Sequence, residues 1–156
     1  MHDNPLLDFS GLPRFDAIRP DHIGPAIDTL LAQAEAAVAA AERVAPVTWT
    51  TFVTPLEDAT ERLWRAWGQV GHLQAVVNTP ELREAYNANL PKVTRFGSAL
   101  GQNLALYAQY KALAASPEYA TYDAAWFRAH LKPNGVLADL KGTYRNKVDG
   151  INYWSL

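Results

Sequence analysis

The chain has 156 residues, 49% hydrophobic and 19% charged, with a formal net charge of −2. That is long enough for one domain with a buried core and too apolar for a mainly disordered chain, and the near-neutral balance without a Lys/Arg run argues against a surface built for phosphate backbones. There is no Cys, which excludes disulfides, thiolate metal sites and a Cys nucleophile.

Residues 4–19 read as an irregular leader, broken by Pro5, Gly11 and Pro13 and closed by Pro20. Leu6, Leu7, Phe9, Leu12, Phe15 and Ile18 are too apolar for a free tail, so the leader is expected to lie against helices. A first long helix is expected from about Pro20 to Val44, with Ile23, Ile27, Leu30, Ala34, Val38 and Ala41 on one stripe. Its Ala-rich run, 34–42, has high helix propensity, and small side chains let a neighbouring helix approach closely.

A second helix is expected from near Thr48 to Val77, with Leu56, Leu63, Trp67, Val70 and Val77 on its apolar face. Asp58–Arg62 and Glu61–Arg65 are i,i+4 pairs with the acid first, the favourable order. Pro55 is expected to shift or kink the start. The stretch Asn78-Thr79-Pro80-Glu81-Leu82-Arg83-Glu84-Ala85-Tyr86 opens a third helix. Thr79 can cap free N–H groups, Pro80 suits the first helical position, and Glu81 and Glu84 complement the dipole. This helix is expected to reach Ala114 with a kink at Pro91, keeping Leu82, Tyr86, Val93, Phe96, Leu100, Leu104 and Tyr107 in phase. Ser116-Pro117-Glu118 repeats the cap-and-proline logic and opens a fourth helix through about His130.

Beyond it the character changes. Lys132-Pro133-Asn134-Gly135 signals a turn, and Val136–Leu140 a short buried strand. The expected fold is therefore all-α: an antiparallel bundle of about four helices over 1–130, with a short non-helical tail over 131–156. The N-terminus shows no secretory pattern and no apolar run is long enough to span a membrane, so a cytoplasmic location is expected.

Taken as a pattern, residues 4–122 resemble the N-terminal region of the oligopeptidase A group in the thimet-oligopeptidase family of zinc peptidases. The landmarks are Asn4-Pro5-Leu6-Leu7, Leu12-Pro13-Arg14-Phe15, Ile18-Arg19-Pro20-Asp21-His22, Thr48-Trp49, Pro55-Leu56, Gly71-His72-Leu73-Gln74, Asn78–Tyr86, Leu90-Pro91, Gly101-Gln102-Asn103 and Leu106-Tyr107. The resemblance implies a helical wall of a deep channel in a cytoplasmic zinc oligopeptidase that cleaves short peptides. It also implies a catalytic domain as partner and zinc as the family's cofactor. The family's chemistry needs H-E-x-x-H, in which two His hold Zn²⁺ and the Glu activates water. This chain has only His2, His22, His72 and His130, none in that motif. No catalytic residue, metal ligand or substrate-binding residue is assigned, no cofactor is expected in this chain, and it is expected to be inactive alone, as a truncated peptidase. The tail, 132–142 with Tyr153-Trp154-Ser155-Leu156, resembles the extreme C-terminus of nucleotide-sugar dehydrogenases. No Gly-rich dinucleotide loop accompanies it, so that activity is not expected.

The alternative is a non-catalytic interaction module that docks a separate catalytic chain or pairs with itself. Individual residues carry two readings each. His72 could contact metal or substrate, or be a solvated surface side chain beside Glu61 and Arg65; His22 could bond locally next to Asp21; His130 could complement a helix end. Trp49, Trp64 and Trp67 could line a peptide groove; Trp67 reads as packing and Trp64 as the better interface candidate. Gly97-x-x-x-Gly101 reads as close packing in a soluble bundle, and the adjacent Glu57 and Asp58 diverge too far on a helix for an acid–base dyad.

Overall fold

Three long amphipathic segments become three long helices. The computed structural model describes residues 4–117, 123–140 and 142–155. Helix α1 spans Pro20–Ala41, α2 Thr54–Val76 and α3 Pro80–Gly101. Among the described residues two shorter helices follow, α4 at Leu104–Ala114 and α5 at Ala124–His130, and then strands β1 at Val136–Asp139 and β2 at Asn152–Ser155. The protein is thus mostly helical, with one small sheet among the described residues. The chain divides into two units, Met1–Gln109 and Tyr110–Leu156, with α4 running across the division.

In the first unit the helix directions follow from cross-links. Trp67 stacks on Tyr86 at 4.8 Å and Trp64 meets Phe96 at 6.1 Å, so α2 runs antiparallel to α3. Lys92 pairs with Asp28 and Asn103 with Glu42, so α3 lies beside α1 in the same direction. The core between them contains Ile23, Ile27 and Leu30 of α1, Leu63 and Val70 of α2, and Leu82, Val93 and Phe96 of α3. Each such side chain, taken from water, stabilises the fold by about 1.5–3 kcal/mol before entropy is counted.

The leader is anchored at particular points. Pro5–Leu7 form one 3-10 turn, capped by Asn4, whose Oδ1 accepts from the Leu6 N–H at 3.1 Å. The Asn4 side-chain amide also donates to the His22 carbonyl at 2.8 Å, tying the leader to the start of α1. Leu6 is fully buried, and Phe9 and Ile18 pack on the core. Leu12 is 91% exposed, so the expected apolar lining does not extend to it.

Helix α2 opens as expected near Thr48, but through a π-helical turn at Trp49–Val53. Thr48 Oγ1 accepts from the Thr51 N–H, and the Thr54 N–H reaches back to the Trp49 carbonyl. Pro55 has no N–H to offer Thr51, and this is where the wider turn gives way to the α-helix. At the other end Asn78 takes φ +48°, the left-handed region that Asn tolerates, and Thr79 Oγ1 then caps α3 through the Leu82 N–H at 3.3 Å.

The expected third helix is two helices. α3 runs without interruption through Pro91 but stops at Gly101. Asn103 starts α4, its Oδ1 accepting from the Leu106 N–H at 3.0 Å. The break at Gln102 and Asn103 resets the helical phase, since each helical residue turns the chain by about 100°. Leu104 and Tyr107, expected on the core stripe, are 81% and 61% exposed, while Leu106 and Leu113 are buried.

In the second unit α5 is capped by Asp123, whose Oδ1 accepts from the Trp126 N–H at 2.9 Å. It ends at His130, as expected; residues 118–122, which carry most of the expected helix opening, lie outside the described residues. The turn at 132–135 forms, with Asn134 at φ +64° and the Gly135 N–H donating to the Lys132 carbonyl. β1 pairs parallel with β2, Val136 opposite Asn152 and Asp139 opposite Ser155. The strand is where the sequence places it, but it is not a buried one. Val136 is 56% exposed, and its buried residue is Asp139, which accepts from the Tyr144 N–H at 2.7 Å and the Tyr153 hydroxyl at 2.8 Å.

Candidate functional site

Helices α1 and α3 leave a groove of about 450 Å³ between them, within the first unit. One wall is the Ala-rich half of α1: Leu31, Glu35, Val38, Ala39 and Glu42. The other is Lys92, Arg95, Phe96, Ala99 and Leu100 of α3, with Asn103 closing the end. Each wall exists because a helix that buries one stripe in the core turns the adjacent stripe outward. The floor is apolar and the two rims carry opposite charge.

Two cross-links hold the rims. Lys92 Nζ reaches Asp28 Oδ1 at 2.6 Å, and Asn103 Nδ2 donates to Glu42 Oε1 at 2.7 Å. Gln109 of α4 adds a bond to the Glu42 carbonyl at 2.9 Å. Glu35 and Arg95 stand between these links, exposed, without an ion-pair or hydrogen-bond partner among the described residues. The groove can therefore hold an apolar surface flanked by one cation and one anion. It contains no His, and no carboxylate faces a second carboxylate across it.

The residues weighed in the sequence are dispersed. His72 is exposed on α2, its ring 5.2 Å from Phe15. His22 is buried at the start of α1, and its local bond is to Arg19 rather than Asp21: Nδ1 accepts from the Arg19 N–H at 3.1 Å. His130 sits in the last turn of α5, stacked 4.0 Å from Trp126 with Nδ1 against the Trp126 carbonyl. His2 lies outside the described residues. Trp67 packs on the core, Trp64 is 41% exposed, and Trp49 is exposed well away from both in sequence. The G-x-x-x-G pair divides: Gly97 lies against the Trp64 indole, whereas Gly101 has no close neighbour. Among the described residues no three His, Cys, Asp or Glu side chains gather as metal ligands. These residues do not fit a catalytic zinc.

Sequence reasoning placed Val38, Phe96 and Leu100 on apolar stripes but missed the groove and its charged rims. The readable signal was Lys92 and Arg95 three apart on one helix and Glu35 and Glu42 seven apart on the other. What could not be read was that these two faces adjoin.

Residues 27–132 match the neurolysin/thimet oligopeptidase N-terminal domain, and the chain belongs to that family. It is similar to oligopeptidase A of Haemophilus influenzae, 40% identical over 126 residues, which cover 81% of this chain and 18% of that protein. Oligopeptidase A of Salmonella typhimurium is 39% identical over 127 residues, 81% of this chain and 19% of that protein. An organellar oligopeptidase A of Arabidopsis thaliana is 37% identical over 121 residues, 78% of this chain and 15% of that protein. The chain spans about a fifth or less of the length of these curated relatives.

Proposed function

We propose that this chain is the channel-wall domain of an oligopeptidase A-like zinc metalloendopeptidase acting on short peptides, and that it works in the cytoplasm. The hydrolytic step then needs residues these 156 do not include. The supporting observation is the family match over residues 27–132 in a chain with no H-E-x-x-H and no metal-ligand cluster among its described residues. In this reading residues 1–130 are the peptidase-like domain and 131–156 an appended tail.

Purified chain incubated with short peptides and Zn²⁺ is expected to show no cleavage above a chelator control. Added to the catalytic remainder of an oligopeptidase A relative that lacks its own N-terminal region, it is expected to raise turnover. Chelator-sensitive cleavage by the chain alone would overturn the reading, as would failure to change the activity of that remainder.

A second reading is a non-catalytic module that docks a separate catalytic chain or associates with itself. The open α1/α3 groove and the exposed Leu104 and Tyr107 favour it, because apolar surface of that kind marks association.

A further inference from the structure

We propose that the α1/α3 groove is a self-complementary surface that seats a second copy of this chain in a two-fold dimer, with Glu35 of each copy opposite Arg95 of the other. The proposal rests on the second reading above and names its partner.

The argument is one of charge and symmetry. The acidic rim lies along α1 and the basic rim along α3, and the two helices run side by side in the same direction. A two-fold axis parallel to the helices lays one groove on another so that each acidic rim faces a basic rim. An axis across the helices would set acid on acid and base on base. Opposite charges across an interface select register and speed encounter, and like charges reject it. Only the first arrangement is compatible with the rims.

Glu35 and Arg95 both lie between the Asp28–Lys92 and Glu42–Asn103 links, so they fall at similar levels along the groove. Neither has a partner within the described residues, whereas Lys92 and Glu42 do. Ala39 and Ala99 line the groove about one helical turn beyond Glu35 and Arg95, short enough for opposing helices to approach closely. Two helices from each copy then enclose one apolar centre, as in a four-helix bundle. An isologous interface uses each contact twice, so one substitution disturbs two pairs.

Analytical ultracentrifugation of the full chain over a concentration series tests this. The expected limit is twice the 17.2 kDa chain mass, with association weakened by added salt. Glu35→Arg alone and Arg95→Glu alone are each expected to weaken association by about tenfold or more. The double variant, Glu35→Arg with Arg95→Glu, is expected to restore it, because the pairs re-form with reversed sign. Both positions are exposed, and circular dichroism of each variant confirms that the helices persist. A dimer indifferent to both single changes would overturn the groove assignment and leave the interaction-module reading standing. A monomer throughout the series would overturn self-association, while the reconstitution above separately decides docking to a catalytic chain.

Discussion

Asp8 is a residue whose ionisation the fold alters. Hydrogen bonds from the Ser10 hydroxyl and the Ser10 N–H, with the Arg14 charge beyond them, hold its carboxyl below the usual aspartate value. A carboxyl with a lowered folded value stabilises the folded leader at pH above its unfolded value, and that contribution fades as pH falls through the folded value. The chemical shift of the Asp8 carboxyl is therefore expected to titrate below that of an unstructured aspartate, and Ser10→Ala to move it back up. An unchanged titration in that variant would remove the assigned cause. Arg62 shows how context redirects a residue that sequence spacing had paired. It does not bridge Asp58 among the described residues, and its guanidinium lies 5.8 Å from the Phe9 ring, beside that of Arg65. Arg65 keeps its expected bond to Glu61 at 2.7 Å. An exposed ion pair adds roughly 0–1 kcal/mol, so contact with a partly buried ring competes with it readily.

At the scale of elements, helix ends decide most of what differs from simple periodicity. Gly101, Gln102 and Asn103 end one helix and start another, and the phase of the apolar residues in α4 follows from that. Thr79 and Pro80, by contrast, act as the sequence suggests. Glycines inside helices separate into two kinds. Gly68 in α2 is exposed and a Cβ there would meet nothing within 4 Å, whereas a Cβ at Gly97 would sit 3.4 Å from the Trp64 ring. Gly68→Ala is expected to raise stability by about 0.4–1 kcal/mol, by restricting the unfolded chain without touching a neighbour. In urea the midpoint should rise with an unchanged slope. The gain at Gly97 is expected to be smaller. A destabilised Gly68→Ala would mean that α2 is packed differently from this account.

For the whole molecule, the important fact is where the core lies. The principal buried cluster runs from Leu6 to Phe96, and the partly buried side chains packed on it end at Leu100. A chain ending at residue 130 is therefore expected to keep its helical signal and a cooperative thermal transition. Loss of that transition would show that 131–156 belongs to the same folding unit, contrary to the proposed boundary. No helix among the described residues is long and apolar enough to cross a membrane.

The sequence by itself determined that this chain is helical, where its long helices begin, and which family it resembles. Those properties reside in short-range patterns: stripes of apolar residues, caps, prolines and motif spacing. It also showed that no H-E-x-x-H is present. Only the tertiary structure decided the rest. That Leu104 and Tyr107 are exposed depends on a two-residue break that no periodicity reveals. That Glu35 and Arg95 border one groove depends on α1 and α3 lying side by side, a relation between residues some sixty apart that only packing creates. Local pattern sets each helix and the stripe it buries, but which outward stripes become neighbours is fixed when the helices dock on their shared core.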